Sequence, residues 1–181
     1  MGGKIAGDGT RLSREQILEI AGEVSAWLDA PVIICGSFRR EKGDSGDVDL
    51  VVPGECLDYE DKLVERWGRH KNHNPKRTGE VMGAQVDLMF ATPAQMPAAL
   101  LASTGSGEFN RAMRSIAKQE GLKLNHEGLF DRETGIPVPV KEESDIFEEL
   151  GVAFIRPCDR NGFEEVNKAR KVFKETRYAT K

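Results

Sequence analysis

Two aspartates one residue apart, Asp47 and Asp49, carry the clearest chemical signal in the sequence. They lie in GDVDLVV, where apolar residues at 48, 50 and 52 alternate with them, as in a half-buried β-strand. Successive side chains of a strand point to opposite faces, so the two carboxylates share one polar face, about 6.6 Å apart. A charged pair in such a strand is costly unless something pairs with it.

A third carboxylate, Asp87, lies in a later strand-like segment, AQVDLMF. If that strand lies beside the first, Asp87 joins Asp47 and Asp49. Three crowded carboxylates repel one another and take up protons unless a cation is present. We therefore expect all three to hold a pair of Mg²⁺ ions, with Mn²⁺ as a substitute, because hard cations prefer oxygen ligands and two-metal sites space their ions about 3.5–4 Å apart.

The residues before the aspartates have the chemistry of a polyphosphate site. Gly36 allows close backbone approach, and Ser37 offers a hydroxyl and an amide at the turn after a strand. Arg39 and Arg40 offer guanidinium groups that match phosphate geometry. Each feature alone is common in loops and on solvated surfaces, but their ordered combination with the aspartates is far more specific.

These residues need a scaffold, and we expect a fold of the α+β class: a mixed sheet with helices, followed by a small α/β part. Apolar spacing predicts a helix over 12–28, started by a capping box of Ser13 and Gln16. Strands follow at VIIC, DVDLVV and AQVDLMF, with a helix over 57–67. A boundary near Thr92 divides domains 1–92 and 93–181. The second should contain helices over 94–102 and 107–120, a hairpin, a short helix and a basic C-terminal tail or helix.

Composition excludes several classes of protein. The net charge of −4 disfavours binding of nucleic acid through bulk charge, although a basic face remains compatible with it. Three scattered cysteines predict neither a disulfide framework nor a zinc knuckle. The sequence lacks an apolar run long enough for a membrane span and a secretion signal, so we expect a cytoplasmic protein, or a nuclear one in a eukaryote.

The segment GSFRREKGDSGDVDLVV resembles the nucleotidyltransferase palm of the DNA polymerase X family, the polymerase beta group. The similarity continues through Thr104-Gly105-Ser106, EFNRAMR, LKLNHEGLF, IPVPV, SDIFEELG and RPCDRN, which resemble the thumb of that family in the same order. It covers residues from about 10 to about 162, so chance similarity to a short motif is a poor explanation.

The resemblance implies a role for each matching position. Asp47, Asp49 and Asp87 would hold the two metals, and Asp87 would also activate the primer 3′-hydroxyl. The nucleotide-binding residues would be Arg11, Gly36, Ser37, Arg40, Ser45, Gly46, Gly105 and Asn110, with a cis peptide at Gly105-Ser106. Arg114 would contact the template strand. The implied reaction is attack of a 3′-hydroxyl on the α-phosphate of a nucleoside triphosphate, which releases pyrophosphate.

The sequence also departs from the family. It begins about ten residues before the palm, which predicts a minimal palm-plus-thumb member without a lyase domain. Other residues must then bind DNA, and the candidate is the basic stretch from Arg66 to Arg77. We read this stretch as an exposed loop or ribbon with Trp67 available for stacking; a merely solvated loop is an equal alternative. Its predicted DNA-binding residues are Arg69, Lys71, Lys76 and Arg77.

Two further departures concern the choice between deoxyribonucleotides and ribonucleotides and the open-to-closed transition of the enzyme. The family has aromatic residues just before Thr104 that exclude the ribose 2′-hydroxyl, whereas this chain has Ala102 and Ser103, so we expect tolerance of ribonucleotides. Gln85 and Met89 replace arginines on either side of Asp87, and His126-Glu127 replaces a Glu-Tyr pair, which predicts a different closing mechanism.

The leading hypothesis is a monomeric, DNA-directed DNA polymerase that fills short gaps in repair, with DNA and nucleoside triphosphates as partners. A second is template-independent terminal transfer, or transfer to a small substrate, by the same palm chemistry. A third is a catalytically silent module that binds DNA ends. The presence of all three aspartates weighs against the third.

Overall fold

The structure, a computed structural model, describes residues 11–69 and 75–179 of the 181-residue chain. The chain divides into two compact units, Met1–Pro93 and Ala94–Lys181. Each unit has its own cluster of buried apolar side chains. Within the described residues, no helix is long and apolar enough to cross a membrane.

The first unit combines helices with a mixed β-sheet, which confirms the predicted fold class. Its elements are β1 (Leu12–Ser13), α1 (Arg14–Leu28), β2 (Ile33–Ile34), α2 (Gly36–Arg39), β3 (Asp44–Ser45), β4 (Val48–Pro53), a 3₁₀ turn (Cys56–Tyr59), α3 (Glu60–Trp67), β5 (Lys76–Val81) and β6 (Ala84–Ala91). Four strands form one sheet in the order β2-β4-β6-β5, while β1 and β3 form a separate pair. The central strands β4 and β6 are parallel, and the outer strands are antiparallel to them.

Helix α1 begins and packs as the sequence predicts. The Ser13 hydroxyl accepts a hydrogen bond from the Gln16 amide, and the Gln16 side chain accepts one from the Ser13 amide. This reciprocal capping satisfies donors that have no partner within the helix. The buried face of α1 joins the core formed with Val48, Leu50 and Val52 of β4. One side of the sheet is therefore fixed by apolar packing, and the polar face of β4 lies on the other side.

Strand β5 corrects the prediction of an exposed loop or ribbon, because residues 76–81 pair along their whole length with β6. The alternation is present but unusual: Arg77 and Val81 are buried, while Lys76, Thr78 and Glu80 are exposed. A charged residue at an inward position hides the apolar period on which strand prediction depends.

The second unit consists of helices around a short hairpin. Its elements are α4 (Met96–Thr104), α5 (Gly107–Gln119), β7 (Leu122–Leu124), β8 (Leu129–Asp131), α6 (Glu143–Glu149), a 3₁₀ turn (Pro157–Asp159) and α7 (Phe163–Ala179). Phe109 of α5 and Phe147 of α6 pack together, with their ring centroids 6.1 Å apart. The basic C-terminal segment forms a helix, α7, rather than a tail.

A buried arginine organises the core of the second unit. Arg160 is 0% exposed, and its guanidinium donates hydrogen bonds to the Glu143 carboxylate at 2.8 Å and the Ile155 carbonyl at 3.0 Å. Its guanidinium carbon lies 5.3, 5.3 and 5.6 Å from the ring centroids of Phe109, Phe147 and Phe154. The charge is therefore balanced by one buried carboxylate and by aromatic faces.

We predict that Arg160→Met destabilises the protein by about 3–5 kcal/mol, because Glu143 would lose its buried cation. Urea denaturation followed by circular dichroism measures the change. Arg156→Met is the matched control: Arg156 is 73% exposed, and its 2.9 Å pair with Asp159 should contribute no more than about 1 kcal/mol. Equal losses in the two variants would contradict a special role for Arg160.

Candidate active site

Three aspartates converge at the polar face of the first unit's sheet. Strands β4 and β6 pair in a register that sets Asp49 directly opposite Asp87. Asp47 comes just before β4, two residues from Asp49. Val48 and Leu50, the neighbours of Asp49, are fully buried on the other face. The alternation of the strand therefore produces the carboxylate cluster together with the apolar core.

The cluster is electrostatically strained. Burial, the largest cause, and the nearby carboxylates of Asp47 and Asp87 together raise the pKa of Asp49 to about 6, while Lys76 and Arg40 oppose the rise. Burial also lowers the pKa of Arg40, against the opposing effect of Asp49 and Asp47. Two cations thus face three carboxylates and compensate their charge only in part.

Asp87 is held from the neighbouring strand β5. The Thr78 hydroxyl donates to Oδ1 of Asp87 at 2.5 Å, and Nζ of Lys76 lies 2.8 Å from Oδ2. The hydrogen bond to Asp87 raises the pKa of Lys76, and the carboxylates of Asp87, Asp49 and Asp47 add to this effect. Lys76, predicted to bind DNA, is therefore engaged with a carboxylate of the cluster.

The donor set fits divalent cations, because it consists of carboxylate oxygens that carry surplus negative charge. Over residues 11–69 and 75–179, however, no three carboxylate, imidazole or thiol groups are grouped closely enough to hold a metal ion as they stand. Both oxygens of Asp87 already have partners, the Thr78 hydroxyl at Oδ1 and the Lys76 ammonium at Oδ2. A metal ion that binds Oδ2 would take the place of the ammonium, whereas Oδ1 can keep its hydrogen bond and still offer a lone pair.

Gly36 makes room for a carboxylate. Its φ is +55°, a backbone conformation that residues with a side chain rarely adopt. A Cβ at this position would overlap the carboxylate of Asp49. The sequence predicts close approach of a phosphate at Gly36; the structure places Asp49 there. Gly36 therefore contributes to the site by allowing β4 and its carboxylate to lie against the start of α2.

The other predicted phosphate-binding residues of the first unit gather around the turn at residues 44–46. The hydroxyls of Ser37 and Ser45 form a short hydrogen bond with each other. The pairing of β1 with β3 brings Arg11 to this turn, where its guanidinium donates to the Asp44 carboxylate at 2.7 and 3.0 Å. Gly46 lies beside the same guanidinium. The chain thus groups four of the predicted residues and adds Asp44, which prediction missed.

The basic stretch is only partly available for DNA. Arg69 is exposed, whereas Lys71 lies outside the described residues. The prediction for Arg77 is wrong: its side chain is 2% exposed and pairs with Glu60 at 3.3 Å, so it cannot reach a phosphate. Trp67 packs its indole over Gly79 and donates to the Glu80 carbonyl at 3.2 Å, so it is not free for stacking.

Gly105, Asn110 and Arg114 belong to the second unit. The Gly105-Ser106 peptide is cis, as the resemblance predicts. The side-chain amide of Asn110 donates to the Ala102 carbonyl at 2.7 Å, and Arg114 is exposed on α5.

Thr78 is a contact of Asp87 that sequence reasoning missed, because the sequence signal is weak: the turn has Met82-Gly83 in place of an Asn-Gly or Asp-Gly pair. Met82 and Gly83 both have positive φ and form a two-residue turn between β5 and β6. Counting outward from such a turn pairs Val81 with Ala84 and Thr78 with Asp87. Recognition of the hairpin at Met82-Gly83 would therefore have placed Thr78 opposite the carboxylate.

Comparison with known families covers most of the chain. Residues 11–88 match the family described as DNA polymerase beta palm, and residues 99–161 match the one described as DNA polymerase beta thumb. The chain belongs to the DNA polymerase X family. Polymerases of this family are metal-dependent in general.

Relatives within the family differ greatly in length. DNA polymerase lambda of Rattus norvegicus is 29% identical over 189 residues, which cover 83% of this chain but only 33% of the rat protein. Repair DNA polymerase X of African swine fever virus is 29% identical over 171 residues, which cover 88% of this chain and 96% of the viral one. Polymerase beta of Leishmania infantum, solved as a ternary P/T complex, shares the fold with a TM-score of 0.68 at 22% identity, over 84% of this chain and 77% of that chain.

We predict that Arg77→Met lowers stability by about 1–3 kcal/mol, because Glu60 would lose a buried donor. The salt dependence of DNA binding should not change, since a buried guanidinium neutralises no phosphate. Denaturation and DNA titration at several salt concentrations measure the two effects, with exposed Arg69→Met as the control for stability. A stable Arg77→Met variant whose salt slope falls by about 1 would contradict the structural assignment.

Proposed function

We propose that the chain is a DNA polymerase that adds nucleotides to a primer 3′-hydroxyl and fills short gaps in DNA repair. The observation that carries the proposal is the register of β4 and β6, which sets Asp49 opposite Asp87 with Asp47 nearby. Family membership supports it, and so does similarity over nearly the whole length of a viral protein named as a repair polymerase. In this proposal residues 1–92 form the palm and residues 93–181 form the thumb.

The three aspartates would hold two Mg²⁺ ions. Bound Mg²⁺ would supply Lewis acidity and neutralise phosphate charge. Asp87 takes the proton from the primer 3′-hydroxyl as its oxygen attacks the α-phosphate, and the bond to pyrophosphate breaks. The raised pKa of Asp49 supports this assignment, because burial first and the neighbouring carboxylates second disfavour its charged form, and a bound cation would relieve both effects.

The residues around the 44–46 turn would bind the leaving phosphates. Ser37 and Ser45 present hydroxyls, and Arg40 and Arg11 present guanidinium groups that match phosphate oxygens. Asp44 pairs with the Arg11 guanidinium in the nucleotide-free chain, and a phosphate would compete with it for these donors. In the second unit, Gly105 and Asn110 would contact the nucleotide.

DNA would be held by a few local cations rather than by overall charge, since the chain has a net charge of −4. Arg69 and Arg114 are exposed and suited to phosphate contacts, and Lys71 keeps its predicted role. Lys76 would contact DNA only after leaving Asp87.

Primer extension on a one-nucleotide gap with Mg²⁺ tests the proposed function. Asp49→Asn should lower kcat about a thousandfold or more, because a metal site contributes several kcal/mol to the transition state. Asp61→Asn, in the exposed first turn of α3, is the control and should keep full activity. Equal activity of Asp49→Asn and the native chain would exclude the metal assignment, and extension of single strands alone would indicate terminal transfer.

Nucleotide selection forms a separate part of the proposal. Ala102 and Ser103 lack the bulk that would exclude a ribose 2′-hydroxyl, so we predict that kcat/KM for dNTP exceeds that for rNTP by no more than about 10²-fold. Ala102→Phe should raise this ratio by adding bulk. A ratio in the native chain like that of strict DNA polymerases would contradict the prediction.

A further inference from the structure

Both oxygens of the Asp87 carboxylate are bonded to side chains of one neighbouring strand. Thr78 pairs directly with Asp87 in the antiparallel β5·β6 ladder, and Lys76 pairs with Met89, two positions further along. Thr78 Oγ1 donates to Oδ1 at 2.5 Å, and Lys76 Nζ lies 2.8 Å from Oδ2. Strand β5 therefore sets both the orientation and the charge balance of this carboxylate.

The two contacts differ in how firmly they are held. Thr78 is short and β-branched, so its χ1 is restricted, and the backbone ladder fixes its Cβ opposite Asp87. Lys76 reaches Asp87 through a four-carbon stem and is 46% exposed, so it can turn into solvent at little cost. The hydroxyl contact should persist through a catalytic cycle, whereas the ammonium contact can be exchanged.

Their relations to a metal ion also differ. A carboxylate oxygen has two lone pairs, so Oδ1 can accept from Thr78 and still coordinate a cation. Lys76 instead places a positive charge beside Oδ2, where it opposes the arrival of a second cation. The side chain of Asp87 is only 10% exposed, and Lys76 lies at one of its two oxygens.

We propose that β5 controls Asp87 through two side chains with opposite effects: Thr78 is a positioning residue that orients the carboxylate for metal binding, and Lys76 is a resident counter-cation that the metal displaces. In the metal-free chain Lys76 relieves the repulsion among the three aspartates. On metal binding it is released and becomes available to DNA phosphate. This inference rests on the proposed function in assigning Asp87 to metal and, for the released lysine, in the binding of DNA.

A titration of the full chain with Mn²⁺, without DNA or nucleotide and with free Mn²⁺ followed by electron paramagnetic resonance, tests both assignments. Thr78→Val should weaken Mn²⁺ binding about tenfold or more, as loss of a hydrogen bond to a metal ligand does. Thr78→Ser should restore it. Lys76→Met should strengthen binding about two- to fivefold, the effect expected from removal of a half-exposed ion pair.

Two control variants separate a local effect at Asp87 from an effect of the net charge of the protein. Arg66→Met removes one positive charge from an exposed pair with Glu23 and should leave Mn²⁺ affinity unchanged. Lys76→Arg keeps the charge and should bind nearly as the native chain does. A purely structural role for β5 would shift Thr78→Val and Lys76→Met in the same direction, which would overturn the proposal, as would unchanged affinity in both.

Failure of this inference and of the polymerase assignment can be told apart. Opposite shifts of the two variants without any primer extension would leave the β5 mechanism standing and refute only the polymerase. Primer extension by the native chain without opposite shifts in Mn²⁺ affinity would leave the polymerase assignment standing and refute the β5 mechanism. Absence of Mn²⁺ binding by the native chain would overturn this inference and the metal assignment together.

Discussion

The site depends on one pairing, the parallel ladder between β4 and β6 that sets Asp49 opposite Asp87. In this register two aspartates lie side by side, and burial strengthens the repulsion between their carboxylates. Three surrounding residues accommodate or compensate this charge. Gly36 leaves space for the Asp49 carboxylate, Arg40 opposes the rise of the Asp49 pKa, and Lys76 pairs with Asp87.

The cluster destabilises the fold that creates it. Because the pKa of Asp49 is raised from 3.8 to about 6, its ionised form is less favourable in the folded chain than in the unfolded one. The cost appears as the pH rises through that interval and is fully present at neutral pH. The apolar face of β4, whose residues 48, 50 and 52 are almost fully buried, offsets this cost. A register slip of one residue would exchange the two faces and remove both the core and the site.

The sequence predicts the elements whose apolar residues recur at a regular spacing, and it does not predict β5, where that spacing is interrupted. Alternation in GDVDLVV predicts β4 and the shared face of Asp47 and Asp49, and the capping box predicts the start of α1. Strand β5 was not predicted because Arg77 occupies an inward position, where an apolar residue would have shown the alternation typical of a strand. Without that strand, Lys76 and Arg77 look like neighbouring surface cations. The pleat separates them, so that one faces the carboxylates and the other is buried.

Exposure distinguishes the cations that serve a function from those that serve the fold. Arg160 and Arg77 are almost fully buried, and each pairs with a carboxylate that is at most partly exposed, so neither guanidinium can leave without breaking its pair. The 2.8 Å ion pair of Lys76 is as short as that of Arg160, but Lys76 remains half exposed, so solvent can take over its charge at little cost. A permanent cation at Asp87 would oppose metal binding, and without Lys76 the three carboxylates would face Arg40 alone. A displaceable lysine on the adjoining strand β5 meets both requirements, because it balances charge in the metal-free chain and can leave Asp87 when another cation arrives.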